Sequence, residues 1–261
     1  AARLEAVCKA AREAGVTEEW EYSLLVGDGS GVEAALEAVS THGRIAAACE
    51  AGYPARVTVL ESPLPADGAG EAAGVFVPRF LAALVEAGLG GRELYLEVPA
   101  GVDDAASIRA IGAVADTTDF ARVGAKLRCG GVKPEAFPSV ERVADFILAC
   151  RDVHLPLKCT AGLHHPVRHR STEPDVMMHG FLNVFGAGVL AYGGLHDPEA
   201  ISACVAETDP AAFAFTGEGF RWRDHHADSA TLAAARNDFL GGFGSCSFAE
   251  PREDLQKLNI L

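Results

Sequence analysis

Residues 123–160 read VGAKLRCGGVKPEAFPSVERVADFILACRDVHLPLKCT, and the pattern of this stretch decides the fold class. The short apolar runs at 123–128 and 155–160 have the length and composition of buried strands. The segment 138–152 between them has helical periodicity and opens on Pro138-Ser139, a typical helix start. A strand, a helix and a second strand in this order predict a βαβ unit, whose two strands run parallel.

The alternation of strands and helices continues in both directions from this unit. We predict strands at 23–27, 56–61, 93–97, 123–128, 155–160, 212–216 and 242–246. We predict helices at 2–14, 31–51, 71–88, 103–115, 138–152, 176–192, 197–207 and 228–240. The centres of the first five strands lie about 31 to 36 residues apart, as expected for one βα unit each.

This spacing predicts a single α/β domain over residues 1–261 with a (βα)8-type, TIM-like barrel. The barrel would be incomplete or distorted, because seven strands are found and not eight. A doubly wound parallel sheet has the same local pattern and is the alternative. The segment 213–223 also fits a hairpin that turns at Gly217-Glu218-Gly219.

Charge and cysteine usage narrow the class of protein. The formal net charge is −14, which disfavours nucleic acid as a partner because the phosphate backbone is repelled. No run approaches 18 consecutive apolar residues, so we expect no membrane span. The seven cysteines are scattered and form no C-x-x-C pair, which indicates reduced thiols and a cytoplasmic location. Residues 121–170 hold nine basic and four acidic residues, so we expect a small anionic metabolite as the partner, with a homo-oligomer left open.

Polar side chains recur at the ends of three consecutive predicted strands. Alternation along a strand places residues two apart on the same face. One face therefore carries Tyr95 with Glu97, then Lys126 with Arg128, then Lys158 with Thr160. In a barrel these ends point into the mouth of the active site, where buried charges are costly unless they serve a function.

Lysine is rare in this chain, at five residues against seventeen arginines, yet two lysines lie at these strand ends. An arginine stays protonated near neutral pH, whereas a lysine beside another cation can lose its proton. An uncharged lysine amine forms a Schiff base with a carbonyl substrate. Ion pairing with Glu97 or binding of a phosphate is the alternative role for Lys126 and Lys158.

Two short motifs carry a resemblance to a known family. Lys158 to Leu163 reads KCTAGL and resembles the K-x-[ST]-x-G strand end of class I deoxyribose-phosphate-type aldolases. Lys126 to Gly131 reads KLRCGG and is similar to the K-x-x-x-G-G that holds the second lysine of that family. The resemblance implies that Lys158 forms the Schiff base and that Lys126 lowers its pKa. The two motifs stand in the opposite order along the chain in that family.

A second resemblance rests on longer stretches. Lys158 to Pro166 reads KCTAGLHHP, and Phe243 to Pro251 reads FGSCSFAEP. Both stretches resemble those of a group of bacterial proteins with K-x-T-A-G-L-H-H-P and F-G-S-C-S-F-x-E-P. This resemblance implies no particular activity.

Histidines follow the fifth predicted strand directly. His164, His165 and His169 lie within GLHHPVRHR, with His179 further on. Imidazoles near a carboxylate can hold zinc or a similar divalent metal, which is one alternative. The other interpretation is that they bind an anion or transfer protons.

The stretch GFGSCSF at 242–248 is a further candidate for binding an anion. Small residues at a final strand end, before a short helix that we expect to open on Pro251, can hold a phosphate. Ser245 and Ser247 are the candidate phosphate ligands, and tight turn packing is the alternative.

Three functions remain open on the sequence. The first is a class I aldolase-like lyase for a small anionic, phosphorylated or unphosphorylated, carbonyl compound, with no cofactor. Lys158, Lys126 and Glu97 are its catalytic residues. Arg128, Thr160, His164, His165, Ser245 and Ser247 bind its substrate. The second is a metal-dependent hydrolase or lyase that uses the histidines, and the third is an anion-binding metabolite sensor without enzymatic activity.

Overall fold

The computed structural model describes residues 9–10, 13–15, 19–52, 55–245, 247, 249–258 and 260. Most of the predicted helix 2–14 lies outside these residues, as do Cys8 and Cys246. The described chain divides into two compact units, Ala1–Gly124 and Ala125–Leu261. Each unit is described by itself, and the prediction of a single domain stays a prediction.

The first unit alternates strands and helices throughout. Its elements are β1 (Trp20–Leu25), α1 (Val32–Gly52), β2 (Ala55–Pro63), α2 (Ala73–Glu86), β3 (Glu93–Glu97) and α3 (Asp104–Ala115), followed by the start of β4 (Arg122–Arg128). The strand order is β1-β2-β3-β4, and β2 pairs in parallel with both β1 and β3. Strand β3 has the predicted bounds, and the other elements lie within about two residues of theirs except β1, which begins three residues before the predicted start at 23.

Helix α3 begins where the sequence supplies a cap. Asp103 accepts a hydrogen bond from the N–H of Ala106 at 2.9 Å and so caps α3. The apolar faces of the helices and strands meet in a core that includes Leu60, Phe80, Leu94 and Ile108, all fully buried. Burial of this kind supplies most of the free energy of folding.

The second unit continues the parallel arrangement and adds two antiparallel parts. It holds the end of β4, then α4 (Val140–Asp152), β5 (Leu157–Thr160), β6 (His169–Thr172), β7 (Asp175–Met178), α5 (Phe181–Tyr192), α6 (Pro198–Ala206), β8 (Phe213–Thr216), β9 (Gly219–Trp222), β10 (His225–Asp228), α7 (Ser229–Ala234), β11 (Leu240–Gly244) and α8 (Ala249–Lys257). The parallel order is β4-β5-β11. An α/β protein with parallel strands is therefore confirmed.

The antiparallel parts correct several sequence predictions. Strand β8 belongs to a three-stranded meander with β9 and β10, so the hairpin interpretation of 213–223 is confirmed, as is its turn between Thr216 and Gly219. Strands β6 and β7 form a hairpin that was not predicted, and the helix predicted from 176 begins at Phe181.

The bounds of helices α7 and α8 also differ from the prediction. Helix α7 ends at Ala234 and continues as one π-helical turn, Ala235–Phe239, so the helix predicted to 240 is shorter. Helix α8 begins at Ala249, which makes Pro251 its third residue and not its first.

In the described residues, six strands form the parallel pairs, fewer than the eight of a complete (βα)8 barrel. No helix among the described residues combines the length and the apolar character that crossing a membrane requires.

Candidate functional site

A row of two lysines lies across the parallel strands of the second unit. Lys126 of β4 is in register with Lys158 of β5, and Lys158 is in register with Gly242 of β11. Register partners on parallel strands point to the same face, with backbones about 4.8 Å apart. Lys126 is 5 % exposed and Lys158 is half-buried. The two side chains therefore leave neighbouring strands side by side.

A second row lies two residues further along the same strands. Arg128, Thr160 and Gly244 are in register, about 6.6 Å beyond the lysine row. Arg128 is exposed, and its Nε donates a hydrogen bond to the carbonyl of Gly130 at 3.1 Å. The Oγ1 atom of Thr160 is buried and has no hydrogen-bond partner among the described residues. A buried unpaired hydroxyl is costly, which is typical of a position that receives a ligand.

The opposite face of these strands is packed. Ala125, Leu127, Leu157 and Cys159 have no exposed surface. A hydrogen bond with Cys129, together with burial, raises the pKa of the Cys159 thiol, so this thiol stays protonated and unreactive. The charged side chains consequently belong to one face only.

The turn after β5 approaches the backbone of β4 closely. Ala161 and Gly162 both have left-handed backbone conformations, with φ of 62° and 72°. A Cβ atom on Gly162 would lie 2.8 Å from the carbonyl oxygen of Cys129, so only glycine fits there. A left-handed alanine is strained, and such strain occurs most often at functional sites.

A depression of about 400 Å³ opens beside this turn. It is lined by Gly131, Ala161, Gly162, His164, Met178, Gly244 and Ser245. Most of these residues have small side chains or none, which leaves backbone amides within reach of a bound group. His164 and Ser245 are the polar side chains of its lining.

His164 joins the depression to helix α8. Its Nδ1 atom lies 3.4 Å from Oγ of Ser245 and 3.4 Å from Oε2 of Glu250. Ser245 Oγ accepts from the N–H of Ser247 at 3.3 Å, and Ser247 Oγ accepts from the N–H of Glu250 at 3.1 Å. The two serines and His164 thus lie together with Glu250, while their predicted binding of an anion stays a prediction.

His165 forms a pair with the next acid of the same helix. Its Nδ1 donates to Oδ2 of Asp254 at 2.5 Å, and Asp254 also accepts from Nζ of Lys257 at 2.8 Å. The rings of His165 and His169 meet edge to face with centroids 4.4 Å apart. An imidazole held by a carboxylate through Nδ1 can exchange a proton at Nε2, which suits acid–base catalysis.

His179 has a structural environment. Its Nε2 donates to the carbonyl of Pro138 at 2.8 Å, and its Nδ1 accepts from Arg168 at 3.2 Å. Burial lowers the pKa of His179, so the ring is neutral. Both ring nitrogens are engaged, which leaves none to bind a metal. In the described part of the chain, no three His, Cys, Asp or Glu residues form a group that could hold a metal ion.

Asn183 holds the backbone of the histidine segment, residues 165–169, in place. Its Oδ1 accepts from the N–H of Arg168 at 2.8 Å, and its Nδ2 donates to the carbonyls of Cys204 and Glu207 at 2.9 and 2.8 Å. The residue is fully buried. One amide therefore ties the chain between His165 and His169 to helices α5 and α6.

Glu97 lies in the first unit, at the end of β3. It is half-buried, and its backbone carbonyl accepts from the N–H of Leu64 at 2.8 Å. Lys126 and Lys158 belong to the second unit. The predicted transfer of protons by Glu97 at these lysines stays a prediction.

Sequence reasoning missed Glu250 and Asp254. Both lie on α8 four residues apart, and this spacing places them on one face of a helix. The i, i+4 pair of acids after the glycine-rich strand was the available signal. Nothing local indicates that its partners are histidines more than 80 residues earlier.

Replacing Asp254 with Asn is expected to weaken the acid dependence of stability. Hydrogen bonds from Lys257 and then His165 lower the pKa of Asp254, so the carboxylate stabilises the fold above its ordinary pKa. That contribution, about 1 kcal/mol for a partly exposed charged hydrogen bond, is lost as the pH falls through the lowered pKa. Urea unfolding of both proteins at neutral pH and below about pH 3 measures the difference. An equal difference in unfolding free energy at both pH values would contradict the assignment.

No family model matches the chain, and no curated protein matches it. The function must therefore be argued from the arrangement of Lys126, Lys158 and the depression beside them.

Proposed function

We propose that the protein is a lyase that forms a Schiff base between Lys158 and a small anionic carbonyl compound. One observation carries the proposal, namely the register of Lys126 with Lys158 on neighbouring parallel strands. The two backbones lie about 4.8 Å apart, so both lysine side chains leave the same face of the sheet from neighbouring strands. Lys158 is the more exposed of the two and is the nucleophile.

The reaction balances without a cofactor. The uncharged Nζ of Lys158 attacks the carbonyl carbon. The carbonyl oxygen takes one proton from the amine and one from an acid–base group and leaves as water, which gives an iminium ion. The bond between the α and β carbons then breaks, and its electron pair forms the C=C bond of an enamine, while the β-hydroxyl of the departing fragment gives its proton to an acid–base group and becomes a carbonyl. The resulting enamine takes a proton on carbon, and water then hydrolyses the imine and restores the amine. Nothing is oxidised or reduced.

The depression supplies the anion-binding end. It lies just past the row of Arg128 and Thr160, so a substrate with its carbonyl at Lys158 can extend along the strands toward it. Arg128, His164 and Ser245 offer a cation and hydrogen-bond donors to a carboxylate or phosphate. Ser247 supports this end through its hydrogen bonds.

Proton transfer has two candidate groups. Glu97 is the one predicted from the strand alternation. The pair of His165 and Asp254 is the one that the geometry of the second unit adds.

The proposal also includes the finer architecture, which is a (βα)8-type barrel. It places the protein in the reducing cytoplasm, where the four buried free cysteines stay reduced.

Reductive trapping tests the proposal. The protein is incubated at neutral pH with pyruvate or with dihydroxyacetone phosphate, sodium borohydride is added, and the modified peptide is identified by mass spectrometry. We expect a reduced adduct on Lys158 for at least one of the two probes. Adducts spread evenly over Lys133, Lys158 and Lys257, or none at all, would refute the Schiff-base mechanism. Lys133 and Lys257 are exposed and serve as internal controls.

A further inference from the structure

A cavity of about 580 Å³ lies in the second unit between α5, the β8–β9 hairpin and the segment from α7 to β11. Its volume falls within the range of small-molecule sites, about 300–1,000 Å³.

Aromatic rings form much of the wall. Phe181 and Phe243 stack with centroids 5.1 Å apart, and Phe185 lies 5.6 Å from Phe243. Phe215 and Phe220 face each other at 5.2 Å. Leucine side chains, one valine and three glycines complete most of the lining. The wall thus suits a flexible or flat apolar body.

Two of these rings remain partly exposed to solvent. Phe215 is 45 % exposed and Phe243 is 38 % exposed, and both line the cavity. Few large apolar side chains among the described residues are as exposed, and grouped exposed rings mark binding sites. An apolar ligand would remove this surface from water.

Arg236 is the charged residue in the described lining of the cavity. It lies in the π-helical turn Ala235–Phe239, a type of turn found most often at functional sites. Its guanidinium makes no hydrogen bond or ion pair with the residues that the structure describes. A cation beside an apolar wall attracts an anion that carries an apolar body.

We propose that this cavity binds a monocarboxylate with an apolar body, its carboxylate on Arg236 and its hydrocarbon part among the phenylalanine rings. The site goes beyond the proposed lyase function and does not depend on it. Gly242 lines the cavity and is in register with Lys158, but Lys158 itself is not among the lining residues. Bound ligand and trapped carbonyl can therefore be measured separately.

Calorimetric titration of the full chain with decanoate tests the site. We expect binding in the micromolar range with a negative heat-capacity change, the signature of apolar burial. Arg236→Met is expected to weaken decanoate binding at least tenfold and to leave the affinity for 1-decanol unchanged. Arg221→Met, at an exposed position of β9, is the matched control and should bind decanoate like the unchanged protein.

A second variant tests the volume of the cavity. Leu232 lines the cavity and is half-buried, so Leu232→Trp fills part of the space and is expected to abolish binding of both probes. Absence of decanoate binding to the unchanged protein would overturn the proposal. So would equal affinities for the Arg236→Met and unchanged proteins. If the protein is a dimer that binds decanoate only after it dissociates, the cavity is filled by a second copy of the chain. This result would also overturn the proposal.

Discussion

Lys158→Arg is expected to lose the borohydride-trapped adduct by a factor of at least about 10³, because an arginine cannot supply a neutral amine. The substitution keeps the positive charge and a side chain of similar length at a half-buried position. We therefore expect the unfolding free energy to change by less than about 1 kcal/mol. Quantitative mass spectrometry of the trapped protein, with thermal unfolding beside it, measures both quantities.

Lys133→Arg is the control for this substitution. Lys133 is exposed and lies outside the strands, so its replacement should leave adduct formation unchanged. If Lys158→Arg retained trapping close to that of the unchanged protein, Lys158 would not be the nucleophile. If trapping fell and the unfolding free energy fell by several kcal/mol as well, the loss would reflect the fold and the role of Lys158 would be withdrawn.

Asn183→Leu is expected to destabilise the second unit by about 3–5 kcal/mol, since it leaves one buried N–H and two buried carbonyls without their partner. Leucine has a similar volume, so the loss comes from hydrogen bonding and not from a cavity. The segment between His165 and His169 loses its tie to the core at the N–H of Arg168. Urea unfolding measures the change in free energy.

Gln256→Leu provides the matched control for this prediction. It also replaces an amide by leucine in a helix, but at an exposed position of α8. We expect its effect to stay within about 0.5 kcal/mol. A loss below about 1 kcal/mol for Asn183→Leu would show that water replaces the lost hydrogen bonds and that Asn183 does not hold the segment in place.

The parallel part of the fold could be predicted because each of its strands is recognisable from a short local stretch of sequence. Each strand of 93–97, 123–128 and 155–160 is short, apolar and bounded by breaks, and its alternation alone assigns the face of Lys126 and Lys158. The β6–β7 hairpin could not be found in this way. Its second strand contains Met177 and Met178, whose apolar character continues into helix α5 and conceals the boundary.

The same distinction between local and long-range signals applies to the residues of the candidate site. Side chains on one strand, or on two strands in register, follow from local pattern, so the lysine rows were within reach of sequence reasoning. The pairing of His165 with Asp254 spans 89 residues and depends on where α8 packs. Sequence periodicity fixes which face of a helix is polar, but not which loop that face meets. The structural role of His179 was missed for the same reason, since its partner Pro138 lies 41 residues away.

The contact of helix α8 with His164 and His165 also sets the order in which parts of the chain can come together during synthesis. The ribosome adds about 5–20 residues per second, so Asp254 follows His165 by roughly 4–18 seconds. Throughout that interval the strands that carry Lys126 and Lys158 can already pair, while His164 and His165 still lack their carboxylates. The lysine row of the nascent chain can thus be in place before the contacts of His164 and His165 with helix α8 form, and these contacts come last, from the residues around 250–257.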